Sequence, residues 1–197
     1  MSKRRTGLLL VLSAPSGSGK TTLMAHLLKG DPTLVRSVSV TTRAPRKGER
    51  QGREYFFVSP GQFAEARRRG ALLEYAQVLH QWYGTPRQFI DVARRRGRDV
   101  LLGIDVQGAR QLRRSGYPAV SVFIQPPGLG VLRQRLTRRG TETSAQIRAR
   151  MALAKRELTC VPEYDYVVIN DRLDEALTQL RAIITAERCR VRPAWHW

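Results

Sequence analysis

The sequence predicts a three-layer α/β fold built around a central parallel sheet. Two observations carry that expectation. The apolar run from Leu8 to Leu12 reads as a buried strand, and it leads through a Gly/Ser-rich loop directly into a helical pattern. Downstream, short apolar runs alternate with segments of helical period, the rhythm of parallel strands joined by crossover helices.

The loop is Ala14-Pro15-Ser16-Gly17-Ser18-Gly19-Lys20-Thr21-Thr22. Its order of strand, loop and helix, and its G-K-T ending, match a phosphate loop, with Ala14 where the motif's first glycine stands. Gly17 and Gly19 allow backbone N–H groups to turn inward around a phosphate, where side chains would intrude. The helix that starts near Lys20 adds its positive end to the same pocket. Lys20 is placed to reach the terminal phosphates of a nucleotide, and the Thr21 hydroxyl to ligate Mg²⁺. A nucleoside triphosphate is the implied ligand.

At 197 residues and 42% hydrophobic content, the chain can bury one ordinary core and is neither disordered nor membrane-like in composition. No apolar run approaches the roughly 20 residues of a membrane helix. The basic start, Met1-Ser2-Lys3-Arg4-Arg5, resembles a signal peptide, but the apolar run after it is short and is taken up as the first strand. Cys160 and Cys189 lack metal-ligand spacing and read as free thiols of a reducing compartment, so a cytoplasmic location is expected. The formal net charge of +19 would suit nucleic acid. The basic residues, however, are mostly arginines scattered along helices, as in Arg67-Arg68-Arg69 and Arg94-Arg95-Arg96. That scatter fits solvated helix faces and phosphorylated substrates, and no nucleic-acid partner is expected.

After the phosphate loop, Leu23, Leu27 and Leu28 give the helix a buried stripe, which Gly30-Asp31-Pro32 ends. Val35 to Val40 reads as a strand, and Thr41 to Glu49 as a polar loop displaying Arg43 and Arg46. Tyr55 to Val58 reads as a strand, Phe63 to Arg69 as a helix, and Leu72 to Val78 as a strand carrying Glu74. Tyr83-Gly84-Thr85-Pro86 is expected to turn, before a helix from Pro86 to Arg96. The core resumes with Asp99 to Asp105, a buried strand ending in Asp105, where ligands of open parallel sheets bind. A helix from Val106 to Ser115, a strand from Ala119 to Ile124 and a helix after Pro126-Pro127-Gly128 follow. The Arg-rich stretch from Arg135 to Ser144 fits a mobile lid before a helix to about Cys160. Tyr166 to Ile169 is the last strand, Leu173 to Arg188 a closing amphipathic helix, and the tail to Trp197 has no usable pattern.

Taken together, several ordered blocks resemble the guanylate kinase family. They are Ser37-Val38-Ser39-Val40-Thr41-Thr42-Arg43-Ala44-Pro45-Arg46, Glu54-Tyr55-Phe56-Phe57, Leu73-Glu74-Tyr75-Ala76, Trp82-Tyr83-Gly84-Thr85, Ile104-Asp105-Val106-Gln107-Gly108 and Arg139-Gly140-Thr141-Glu142. The resemblance implies a P-loop kinase fold with a central parallel sheet, an inserted mixed α/β nucleoside-monophosphate-binding subdomain and a helical lid. Its expected division is a core of 6–35, 97–134 and 156–190, a GMP-binding subdomain of 36–96, a lid of 135–155 and a tail of 191–197. It implies transfer of a phosphoryl group from ATP to GMP (and dGMP) with Mg²⁺. Arg43, Arg46, Tyr55 and Tyr83 match positions that hold the GMP phosphate, and Ser39, Glu74, Thr85 and Asp105 the group around guanine. Lys20, Arg43 and the lid residues Arg135, Arg139 and Arg150 match the cations of catalysis, and Asn170 a position near adenine. Chemically, a carboxylate such as Glu74 can accept guanine's N1–H and amine together, whereas adenine would leave it unpaired.

Two positions depart from the family. Gly103 stands where an acid is usual, a loss that implies looser metal binding or slower turnover unless Glu74 and Asp105 suffice. Arg172 replaces an acid after Asn170-Asp171. A non-catalytic phosphopeptide-binding module of the same fold is the first alternative, but such modules typically lose the phosphate loop, which is intact here. A P-loop kinase for another phosphorylated acceptor is the second, against which stands the set Ser39, Arg43, Arg46, Tyr55 and Glu74.

Overall fold

In a computed structural model, which describes residues 5–46, 48–78, 80–138 and 143–191, five strands form one parallel sheet. In chain order they are β1 (Leu9–Ser13), β2 (Leu34–Arg36), β7 (Asp99–Gly103), β8 (Val120–Gln125) and β9 (Tyr166–Ile169). Their spatial order is β2-β7-β1-β8-β9, so β1 lies at the centre. A second, four-stranded sheet, ordered β4-β3-β6-β5, is built from β3 (Val40–Thr41), β4 (Phe56–Phe57), β5 (Leu72–Val78) and β6 (Gln81–Pro86). The helices are α1 (Lys20–Gly30), α2 (Pro60–Arg68), α3 (Arg87–Arg95), α4 (Val106–Arg114), α5 (Leu129–Thr137), α6 (Ser144–Leu158) and α7 (Leu173–Cys189).

Every residue of β1 is buried, and alternation splits its side chains between two cores. Leu10 and Leu12 pack with Leu23 and Leu27 of α1 and Leu180 and Ile184 of α7. Leu9 and Val11 pack on the opposite face with Ile90 of α3 and Leu112 of α4. These are the three expected layers. Leu132, Leu136 and Ala154 form a smaller cluster between α5 and α6.

Three expectations are corrected. The single strand expected over Val35 to Val40 is two strands, β2 pairing with β7 and β3 with β4 and β6. The chain changes sheets between them, with the Ser37 amide still donating to the Leu101 carbonyl. The turn expected at Tyr83-Gly84-Thr85-Pro86 is instead strand β6, antiparallel to both β3 and β5. Gly84 serves close packing rather than turning: a Cβ there would come within 2.9 Å of Leu72 Cδ1. Strand β7 ends at Gly103 rather than Asp105, because Asp105 has become the N-cap of α4 and accepts from the Gly108 amide at 2.8 Å.

The second sheet is held against the first core by α4. Gln111 brackets Tyr75, accepting from its amide at 3.1 Å and donating to its carbonyl at 2.6 Å. Leu73 reaches into the core with Leu9 and Ile90. The β5–β6 register shifts between Leu72 and Tyr75, leaving Leu73 and Glu74 opposite Thr85 alone. That bulge lets two consecutive β5 residues both be buried.

At the opposite edge of the sheet a buried charge ties the chain's ends together. Asp99, 1% exposed, accepts from the Leu8 amide and Arg5 through Oδ1 and from Arg188 of α7 through Oδ2, each at 2.7 Å. Arg188 also donates to Asp31 and Thr33 at 2.7 Å, clamping the end of α1. Truncating one member leaves the others buried and unpaired. Asp99→Ala is therefore expected to lower the unfolding free energy by about 3–5 kcal/mol in urea titrations followed by circular dichroism.

Candidate functional site

Because the strands of the main sheet are parallel, their carboxyl ends open on one edge. The loop after β1 closes a turn, with the Ser18 amide donating to the Pro15 carbonyl at 3.1 Å. Gly17 and Gly19 adopt φ of 94° and 87°, the left-handed region that favours glycine, and Gly19 caps α1. Asn170, just past β9, is buried; its Nδ2 donates to the Ser18 carbonyl at 2.7 Å, and a Cβ on Gly19 would run into that nitrogen. Ser16, Thr21 and Thr22 face solvent at the mouth, while Ala14, Pro15 and Ser18 are buried scaffold beneath it.

Two of the arginines expected in a lid lie beside this loop and the Asn170 that supports it. Arg135 donates through both terminal nitrogens to the Asn170 carbonyl at 3.1 Å, and Arg150 donates to Ser16 Oγ at 2.6 Å. Arg139 lies outside the described residues. Thr143 and Gln146 form a reciprocal capping box that fixes where α6 begins, so Arg150 is delivered by a firmly started helix.

The second sheet contributes a separate cluster. Arg43 donates to Glu49 at 2.8 Å and to the Ala44 carbonyl at 2.7 Å, and its guanidinium stands 5.5 Å from the Tyr55 ring centre. The rings of Tyr55 and Tyr83 meet edge-on at 5.8 Å, and the Tyr83 hydroxyl also faces Arg43. Arg46 is exposed, and its amide donates to the other Glu49 oxygen at 2.7 Å. Glu49, which the sequence reading left unassigned, thus folds the arginine loop. Ser39 is half-buried and accepts the Phe56 amide at its carbonyl.

One residue of the second sheet, Glu74, lies within electrostatic reach of Lys20. The Lys20 ammonium donates to the Ile104 carbonyl at 2.9 Å, at the end of β7. Burial holds its pKa below the ordinary lysine range, opposed by the charges of Asp105, Glu157 and Glu74. Glu74, 4% exposed, takes the Thr85 hydroxyl at 2.5 Å and presses on α4 where a Cβ at Gly108 would touch its Oε2. Burial pushes its pKa up to about 7, with Asp105 adding to the rise. Glu157 of α6 is pushed up to about 7 for the same two reasons.

Sequence reading missed Glu157. The available signal is helical spacing: Arg150, Ala154 and Glu157 fall at i, i+4 and i+7, on one face of α6. Gly103 also has a local explanation. A Cβ there would lie 2.6 Å from Met24 Sδ and 3.8 Å from Lys20 Cε, so the methionine of α1 fills the room a side chain would need.

A family profile described as guanylate kinase matches residues 6–187. The chain is 47% identical to the guanylate kinase of Rhizobium meliloti over 94% of its own length and 85% of that protein's. It is 44% identical to that of Caldanaerobacter subterraneus subsp. tengcongensis, over 97% and 93% respectively. The crystal structure of guanylate kinase from Anaplasma phagocytophilum superimposes with a TM-score of 0.77 at 35% identity, covering 95% of this chain and 89% of that one.

Glu74 and Glu157 both have folded pKa values near 7, above the ordinary 4.5 of an unfolded glutamate. Each therefore favours the folded state fully below pH 4.5 and loses that contribution as the pH rises through about 7. The ligand-free protein is expected to lose stability between pH 5 and 8. Glu74→Gln should shrink that loss by on the order of 3 kcal/mol, as read by urea unfolding at the two pH values.

Proposed function

This chain belongs to the guanylate kinase family, and we propose on that premise how its residues transfer a phosphoryl group from ATP to GMP. The observation that carries the proposal is the buried Glu74 carboxylate, held by Thr85 within electrostatic reach of the phosphate-loop Lys20. A group suited to reading guanine and a group suited to holding phosphates share one centre.

ATP binds with its phosphates in the loop from Ala14 to Thr22 and its adenine near Asn170. Arg135 and Arg150 then exchange their present partners, the Asn170 carbonyl and Ser16, for phosphate oxygens, to which arginine offers a fixed fork of donors. Arg139 completes this set. GMP lies across the second sheet, its phosphate between Arg43, Arg46, Tyr55 and Tyr83. Its guanine donates N1–H and the exocyclic amine to Glu74, with Ser39, Thr85 and Asp105 around it. Adenine has no N1–H and would leave the buried carboxylate unpaired, the kind of mismatch that discriminates by about 10⁴–10⁵ in favourable sites.

The accepting phosphate oxygen is already ionised, so no general base is needed, and catalysis rests on in-line placement and gathered positive charge. Lys20 leaves the Ile104 carbonyl to bridge the transferring group, where phosphate charge favours its ammonium form against the burial that lowers its pKa. The donor set fits Mg²⁺: the exposed Thr21 hydroxyl beside Lys20 is a hard oxygen ligand, and nearby carboxylates can hold metal-bound water. The ion supplies charge neutralisation across the phosphates.

The second-sheet segment, 36–96, closes over GMP and the lid, 135–155, over ATP, excluding water that would hydrolyse the nucleotide. The positive charge serves phosphorylated substrates and solvated helix faces rather than nucleic acid. Both cysteines are free, which supports a cytoplasmic place.

The test is ADP formation with ATP and Mg²⁺ in the presence of GMP, AMP, UMP or CMP. Turnover is expected with GMP alone, and Lys20→Ala should lower kcat by at least about 10²-fold. Tight GMP binding without turnover would instead indicate the binding module.

A further inference from the structure

Glu157 is left over when the site residues are assigned. It is 8% exposed, and among the described residues no hydrogen bond or ion pair engages its carboxylate. The other two acids at Lys20 are occupied: Glu74 by Thr85, and Asp105 by the cap of α4. A carboxylate drawn this far out of water with no protein partner is costly to charge, and it is satisfied most readily by a group that arrives from solvent.

Its position says which group. Arg150, Ala154 and Glu157 share one face of α6, and the residue between them in space, Ala154, is 1% exposed against Leu132 and Leu136 of α5. With Ala154 fixed there, Arg150 donates to Ser16 on the phosphate loop, and Glu157, one turn further along the same face, comes within electrostatic reach of Lys20 and Asp105. A single rigid stripe thus presents a cation to one end of the phosphate pocket and an anion to the other. At the other end Glu157, Asp105 and Glu74 lie within electrostatic reach of one ammonium, and burial holds the two glutamates protonated above the usual carboxylate range, so a cation entering with the nucleotide meets acids able to release protons in its favour.

We propose that Glu157 is a positioning residue for phosphoryl transfer: it orients the Lys20 ammonium and the water shell of the nucleotide's divalent cation. This rests on the reading of the site given above. Because Glu157 rides on the helix that carries Arg150, seating Arg150 on the nucleotide and completing the cation's surroundings become one movement. The same geometry explains how Gly103 is tolerated. A side chain at 103 would address Lys20 from β7, and Met24 fills that room with an uncharged thioether, so the carboxylate comes from α6 instead.

The experiment uses the full chain and Glu157→Gln, which keeps shape and removes charge. Mn²⁺ affinity is measured by electron paramagnetic resonance with a non-hydrolysable ATP analogue, alongside kcat and the KM for GMP. Mn²⁺ binding and kcat should each fall about 10–100-fold, the usual cost of losing an outer-shell partner, with the KM for GMP within twofold. Glu157→Asp should fall between the two, and serves as the reading if Glu157→Gln does not fold. Adding Gly103→Asp with Met24→Ala to Glu157→Gln should restore at least tenfold of the Mn²⁺ affinity. Unchanged Mn²⁺ affinity in Glu157→Gln would overturn the proposal, as would a loss of activity that the acid at 103 does not recover. The Mn²⁺ measurement needs no GMP turnover, so a wild-type protein inactive on GMP would overturn the functional reading while leaving this test decisive.

Discussion

A single buried ammonium organises this molecule. Lys20 begins α1 on the carboxyl edge of the central strand, and three carboxylates face it from three other parts of the chain: Glu74 from the second sheet, Asp105 from the start of α4, and Glu157 from α6. Low-dielectric surroundings make these interactions strong and their imbalance costly. Burial first, and the charge of Asp105 after it, raise the two glutamates to about 7.

That convergence depends on docking the second sheet correctly. Glu74 reaches Lys20 because the β5 bulge buries both Leu73 and Glu74, while Gln111 holds the next residue, Tyr75, to α4. Gly108 is required on the far side, since any side chain there would displace the Glu74 carboxylate. Arg43, Tyr55 and Tyr83 follow as a group, kept in place by Glu49 and by their own ring contacts. At the other end of the sheet, Asp99 and Arg188 do for the chain's termini what Lys20 does for the site.

The local parts of this design were legible from residue order. The phosphate loop is a contiguous signal, since its strand, its glycines and its helix start are covalent neighbours. Four of the five core strands and most helices follow from apolar runs and period. The reading failed where distant pairing overrides local preference. Tyr83-Gly84-Thr85-Pro86 has the composition of a turn, yet β3 and β5 on either side make it a central strand. Val35 to Val40 has the composition of one strand, yet its two halves belong to different sheets. Glu49 and Glu157 carry no motif, and each acquires its meaning from what folding places opposite it. Gly103 looked like a missing acid in sequence, and its neighbour Met24 is visible only in space.

By itself, the sequence determined the fold class, the phosphate loop and the ordered blocks that mark the guanylate kinase family, because these are carried by local backbone requirements and by periodic burial. Only the tertiary structure decided which charges meet. It selected Glu157 from among the chain's acids, gave Arg43 its Glu49 partner and set Glu74 at Lys20. Electrostatic coupling depends on distance and on exclusion of water, and neither is a property of position along the chain.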